Sequence, residues 1–251
     1  MGQHDGMDIE PFLHREPADD DLEAVRAHRK GQCAVGYRIW GALRLGTIGD
    51  GHISARDPER TDHFWLLRYG VPYAEATVDE LVLVAPDGSL AEGGGAINWA
   101  AYCIHHPLHV ARPDLVSAAH VHTPYGTPWS AFVEPLRMVS QESCCFAGDQ
   151  AVWDDDTLDV VDVDDGHRLA AAVGHARLGI LRNHGIVTTG ASVAEAVGWF
   201  AVAERAAEAN VKARDGGKAI DDAKARRLYE GGTGHRARGI EAYRWLARSL
   251  L

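Results

Sequence analysis

The sequence predicts an α/β fold built on a mixed sheet. Three observations carry this. Helical and extended patterns alternate along the chain. Several extended runs are joined as hairpins, which makes neighbouring strands antiparallel. The intervening segments lack the regular strand–helix–strand period of a doubly wound sheet. Residues 1–20 read as a loose acidic tail. From Asp21, Leu22, Val25, Val35, Ile39 and Leu43 recur at helical spacing, with a break expected near Gly31. Four glycines between Gly41 and Gly51 predict a helix end and a tight turn. HISARDP, HFWLLRYG and DELVLVAPDG read as successive strands, the last closed by the turn at Pro86-Asp87-Gly88. Gly93-Gly94-Gly95 is a loop. INWAAYCIHHPLHVARPD has helical spacing, and LVSAAHVHT is a short buried strand. The acidic stretch 150–165 is expected in solvent, with one strand in LDVVDV. GHRLAAAVGH reads as a helix and LGILRNHGIVTTG as strand–turn–strand. Ser192, with Glu195 three residues on, opens a long amphipathic helix as a capping box. After Gly216 a charged, partly helical extension over 217–251 is expected, outside a main domain of 21–216.

The composition narrows the function classes. The 251 residues carry 36 acidic and 25 basic side chains, a net charge of −11, with 46% hydrophobic residues. That apolar share suits a globular protein. The acidic balance argues against nucleic acid or anionic membrane as partners, because phosphates need a basic face. No apolar run is long enough for a signal peptide or a membrane span, so a cytoplasmic protein is expected. The four cysteines, Cys33, Cys103, Cys144 and Cys145, form no CxxC pair and read as reduced and buried. The unusual entry in the composition is histidine, with 14 residues.

His120-Val121-His122 is the sharpest motif. In a strand, residues i and i+2 share a face, so both imidazoles can reach one ion. Asn183-His184-Gly185 offers a third ligand where a strand ends at a glycine. Three histidines with an open position suit one catalytic zinc, manganese or iron ion. The alternative is a chance pair in a histidine-rich chain. His105 and His109, at i and i+4 on a helix, are a competing metal pair, although packing on the sheet with local hydrogen bonds is the preferred reading. Gly51-His52-Ile53-Ser54 with Arg56 reads as a polar turn that could hold an anion, Ser54 and Arg56 adding donors. The plainer reading of Ser54 is a turn residue that satisfies its own backbone. Glu142, near an apolar run, is a candidate acid/base, and Tyr102 offers a phenol. Asp154-Asp155-Asp156 lacks the glycine and distal glutamate of a calcium loop. One or two of Trp65, Tyr69, Tyr125 and Trp129 could line an aromatic pocket.

Three segments in order, GTIGDGHISARDP, ARPDLVSAAHVHTPYGTPWSA and LGILRNHGIVTTGASVAEAVGWFAVAERAAEA, resemble the class II aldolase/adducin family over roughly Val25 to Ala213. The resemblance implies a three-layer α/β/α fold with a central mixed, mainly antiparallel sheet. It implies a divalent metal on His120, His122 and His184, and a homo-oligomer, commonly a tetramer with sites at subunit interfaces. Two departures stand out. The family's sugar-phosphate aldolases carry a glutamate about twenty residues before the HxH pair, where this chain has Asn98. They also carry asparagine where this chain has His52. Asn98 cannot exchange a proton near neutrality, although its amide can orient a substrate. Both departures fit a branch with decarboxylases of hydroxylated aromatic acids and non-haem iron oxygenases. The expected activity is a metal-dependent carbon–carbon lyase, a decarboxylase or aldolase, acting on a small anionic hydroxy or oxo acid. His52, Glu142 and Tyr102 are candidate catalytic residues, and Ser54, Arg56 and Asn98 candidate substrate contacts. The alternatives are an iron(II) oxygenase on the same site and a non-catalytic adducin-like association module.

Overall fold

The computed structural model describes residues 7–18 and 20–251. Helices α1 (Leu22–Ala42), α2 (Trp99–Ala111), α3 (Gly126–Ser130), α4 (Val163–Val173), α5 (Val193–Lys212), α6 (Asp222–Leu228) and α7 (Arg236–Leu250) flank two sheets. The strands are β1 (Gly51–Ile53), β2 (Ala55–Arg56), β3 (Phe64–Leu67), β4 (Leu81–Val84), β5 (Leu90–Glu92), β6 (Ser117–Val121), β7 (Gln150–Trp153), β8 (Leu178–Leu181) and β9 (Gly185–Gly190). The five-stranded sheet runs β1-β6-β9-β8-β7, and the four-stranded sheet β2-β3-β4-β5. The pair β7–β8 is parallel and every other pair antiparallel. The protein therefore has the mixed, mainly antiparallel α/β architecture expected.

Alternation along the strands makes the layers. Ile53, Ala119, Val121, Ile180 and Ile186 point into one core with α1, α5 and α7. Ala118, Leu181 and Val187 point into a second core with α2 and α4. Successive side chains of a strand face opposite ways, so β6 must send His120 to the α2 side if Ala119 and Val121 face α1 and α5. The sheet thus decides which helix layer the His120 imidazole meets.

Three expectations change. No break occurs at Gly31, because α1 runs through it. A Cβ at Gly31 would lie 2.1 Å from the Phe12 ring, so this glycine makes room for a docked side chain within the helix. The segment read as a loose tail is packed over its described part. Glu10–Leu13 forms a 3-10 helix, Leu13 is 2% exposed, and Gln32 donates to the Phe12 carbonyl at 3.1 Å. Residues 1–6 and 19 lie outside the described residues. No strand forms in LDVVDV. The chain there is anchored by the buried Val160 and by the Trp99 indole donating to the Val161 carbonyl at 2.9 Å, with the Leu158 and Val161 side chains exposed, and Asp162 caps α4 instead. The strand of this region is β7, slightly earlier.

The C-terminal extension belongs to the same core. Tyr243 of α7 is buried and donates to the Gln32 carbonyl at 2.9 Å. Gly198 of α5 lies against α7 so closely that a Cβ there would be 1.8 Å from the Gly239 carbonyl oxygen. Ser192 caps α5 as expected, its hydroxyl accepting from Glu195 N at 3.1 Å. No helix among the described residues is long and apolar enough to cross a membrane.

Candidate metal centre and adjoining cavity

His120 is the penultimate residue of β6 and His122 follows the strand's end, while His184 sits in the turn between β8 and β9. Asn183 takes the left-handed conformation there, with φ of 56°. That conformation suits asparagine better than most side chains and turns the chain so that His184 meets the HxH pair. Gly185 follows with φ of 144°, a backbone conformation that glycine adopts freely and other residues rarely do. One nitrogen from each of the three histidines lies within 4.8 Å of the others. The ring centroids are 4.8 to 5.4 Å apart, all edge-on.

The donor set fits a divalent cation. The Ile186 carbonyl accepts from His120 Nδ1 at 2.8 Å, which fixes the tautomer and leaves Nε2 for ligation. His184 Nδ1 is buried without a partner among the described residues. Burial first, then the neighbouring imidazoles, push His120 well below the ordinary range, and the same causes bring His184 down to about 4. Near neutrality these two rings are uncharged, the form that binds a metal. His122 is part-exposed, and its Nδ1 faces the Asp50 carboxylate at 3.7 Å. Its backbone N–H is held by the Asp50 carbonyl at 3.0 Å.

His52 is opposite His120 in the β1–β6 register, with ring centroids 5.0 Å apart. Its Nδ1 lies 2.6 Å from Nε2 of His105 on α2. Two residues along the strand, Ser54 Oγ lies 2.9 Å from Nε2 of His109. The match is geometric: two strand residues advance about 6.7 Å, and four helical residues about 6 Å. The i, i+4 histidines of α2 therefore meet the i, i+2 pair of β1 and its continuation. This accounts for His105 and His109 as partners of the sheet and not as a second metal pair.

His52 also lines a cavity of about 510 Å³. Its walls include Tyr37, Leu66, Tyr69, Tyr73 and Asn98, with Arg68 at one side. Glycines 46 and 49 give the loop beneath it positive φ angles of 64° and 79°. The cavity and the three histidines thus share the β1 wall. Asn98 reaches the cavity but also caps α2, its side chain accepting from Ala101 N at 3.4 Å.

Four candidate residues lie elsewhere. Glu142 precedes the turn Ser143–Phe146, before the start of β7, whereas His184 follows the end of β8. Because β7 and β8 are parallel, Glu142 is at the opposite end of the sheet from the metal centre. Tyr102 is not on the face of His105. It stacks on His106, with centroids 5.2 Å apart, and donates to the Pro86 carbonyl at 2.7 Å. Ser54 is fully buried between β1 and β2, accepting from Ala118 N at 3.2 Å while it engages His109. Arg56 is also buried and donates to the carbonyls of Leu115, His109, Arg112 and Thr61. These contacts use all three guanidinium nitrogens on backbone, so the pair knits β2 to α2 in place of an anion site. Cys144 and Cys145 are buried free thiols, as expected.

Two supporting residues carried no signal in the sequence. Glu204, midway along α5, accepts from the Thr123 hydroxyl at 2.6 Å and from the backbone N–H groups of Tyr125 and Gly126 at 3.0 and 2.8 Å. It fixes the loop that leaves His122. Asp50 stood inside the glycine-rich segment but gave no pattern to mark it as the partner of His122.

Residues 32–211 match the family described as class II aldolase and adducin N-terminal domain. The chain belongs to that family. It is 34% identical over 215 residues to a protein of Streptomyces niveus named decarboxylase NovR, covering 84% of this chain and 79% of the relative. It is 35% identical over 197 residues to 4-hydroxy-3-prenylphenylpyruvate oxygenase/4-hydroxy-3-prenylbenzoate synthase of Streptomyces roseochromogenus subsp. oscitans, covering 77% and 71% of the two chains. Among solved structures, L-fuculose 1-phosphate aldolase from Glaciozyma antarctica PI12 superposes with a TM-score of 0.83 at 29% identity, covering 96% and 95%.

Proposed function

We propose that the protein is a divalent-metal-dependent carbon–carbon lyase, with decarboxylation favoured over aldol cleavage, acting on a small hydroxy or oxo acid that carries an aromatic ring. The observation that carries this reading is the convergence of His120, His122 and His184 beside a cavity with tyrosine walls. When bound there, zinc, manganese or iron supplies a fixed positive charge that stabilises an oxygen gaining charge in the transition state. Tyr69, 59% exposed, offers a flat surface for an aryl group beside the buried rings of Tyr37 and Tyr73, and Asn98 an amide to orient a substrate oxygen. His52, at the junction of cavity and metal centre, is the remaining candidate proton donor, since Glu142 and Tyr102 lie away from it. The absence of a carboxylate at position 98 favours a reaction that needs no strong base at that point. The named decarboxylase among the relatives supports the same choice.

A second reading keeps the site and changes the chemistry. The relative named as an oxygenase supports iron(II) with dioxygen as co-substrate. An oligomer, a tetramer by family resemblance, forms part of either reading, whereas a purely associative role would leave the three-histidine site without use. The test is turnover of 4-hydroxyphenyl-substituted 2-oxo and 2-hydroxy acids by protein loaded with zinc, manganese or iron(II), with and without oxygen. A lyase releases product under strict anaerobiosis. Turnover only with iron and stoichiometric oxygen uptake would establish the oxygenase, and no turnover under any condition would remove both.

A further inference from the structure

The contact between His52 and His105 has a direction that the surroundings decide. The two ring nitrogens are 2.6 Å apart, so one donates and the other accepts. His105 is fully buried, and its other nitrogen, Nδ1, has no hydrogen-bond partner among the described residues. Phe64 packs 6.3 Å from it, centroid to centroid, adding no polar atom. If His52 Nδ1 donated, the neutral His105 would carry its proton on Nδ1, a buried N–H with no acceptor. Such orphaned donors are rare in folded proteins, and leaving one costs its desolvation. If His105 Nε2 donates, its Nδ1 is only an unused lone pair.

We propose that His105 is a positioning residue that holds His52 as the Nε2–H tautomer, so that a neutral imidazole aims a fixed N–H donor at the substrate space between the three-histidine centre and the cavity. His52 Nδ1 is occupied by His105, which leaves Nε2 as the nitrogen available to that space. The ring cannot rotate freely, because it is 4% exposed and packed between His105 and His120. A neutral donor placed there stabilises a developing oxyanion without bringing a second positive charge to the metal centre. The use of the donor rests on the lyase reading above, but the tautomer does not.

The test is nitrogen-15 NMR of histidine-labelled protein at pH 8, metal-free and zinc-loaded, with His52 assigned through a His52→Gln variant. The expected result is a bare Nδ1 and a protonated Nε2 on His52 in both states. His105→Gln keeps an N–H donor and retains the wild-type pattern. His105→Phe lowers the ratio of the two His52 tautomers from about tenfold to near parity, as loss of one hydrogen bond implies. A His52 protonated on Nδ1 in the wild type overturns the proposal, as does a wild-type pattern in folded His105→Phe. The wild-type spectrum decides the matter even if that variant fails to fold. Because no turnover is measured, a failed lyase reading and a failed tautomer assignment give different results.

Discussion

Glu204 of α5 accepts a hydrogen bond from the Thr123 hydroxyl at 2.6 Å, one residue beyond His122. The long helix therefore supports the metal centre from behind, through the loop and not through a ligand. Burial raises the carboxyl's pKa while its three donors oppose the rise. Glu204→Ala leaves the Tyr125 and Gly126 N–H groups without their acceptor. We expect zinc affinity to fall up to about 10-fold, less than the loss of a direct hydrogen-bond partner of a metal ligand would cause. Competition titration with a chromophoric chelator measures it, and an unchanged affinity would show that the loop holds its place without Glu204.

Stability should fall with acid in the metal-free protein. Burial is the first cause that lowers the pKa of His52, His105, His109, His120 and His184, four of them well below 6.5 and His184 to about 4. Below the ordinary value near 6.5 the unfolded chain protonates these rings and the folded chain does not. The unfolded state then binds more protons, so unfolding is favoured as pH drops. Each such ring contributes roughly 1.4 kcal/mol per pH unit across its window. Glu204, with its raised pKa, acts in the opposite sense over the lower part of that window. Denaturant titrations at pH 7.5 and 5.5 should show a loss of several kcal/mol, and equal midpoints would contradict the buried, neutral assignment.

Arg56 separates an architectural role from a substrate role. Its guanidinium holds the carbonyls of Leu115, His109, Arg112 and Thr61. Arg56→Ala should destabilise the fold by about 3 kcal/mol, since buried acceptors lose their donors. Zinc affinity should change less than about twofold, because no metal ligand or its direct partner is touched. A stable variant with impaired substrate binding would return Arg56 to the site.

The contact of α7 with α5 can be tested at Gly198. Its missing Cβ is what lets the Gly239 carbonyl approach. Gly198→Ala should cost about 1–3 kcal/mol through overpacking, although alanine is the better helix former. A stabilised variant, by thermal or denaturant unfolding, would mean that α7 is not seated against α5 as described.

The mixed sheet and the three-histidine cluster were legible in the sequence because both follow short-range rules. Period-2 alternation placed His120 and His122 on one face, and Asn183 with Gly185 marked the turn that delivers His184. The chain's family resemblance supplied the order of the segments. What the sequence hid depends on pairing across long separations. Gly31 looked like a helix break because Phe12, nineteen positions earlier, fills the space beside it. Ser54 and Arg56 looked like an anion site because nothing local reveals that α2 covers them. Glu142 looked buried near the metal because an apolar neighbourhood does not say which end of the sheet it occupies. Glu204 was one acid among several on an amphipathic helix, and its role appears only once the Thr123 loop crosses it. Tyr102 shared helical spacing with His105 by count, but its i+4 neighbour His106 is the ring it stacks on.

The proposed chemistry depends on the three-histidine centre. Metal analysis of purified protein, followed by zinc titration of the wild type, His122→Ala and His184→Ala, tests it most directly. The wild type should hold one zinc per chain, and each variant should lose that site while keeping its fold by circular dichroism. Wild-type protein that binds no zinc, or variants that bind it as the wild type does, would contradict the assignment of His120, His122 and His184 as the metal ligands.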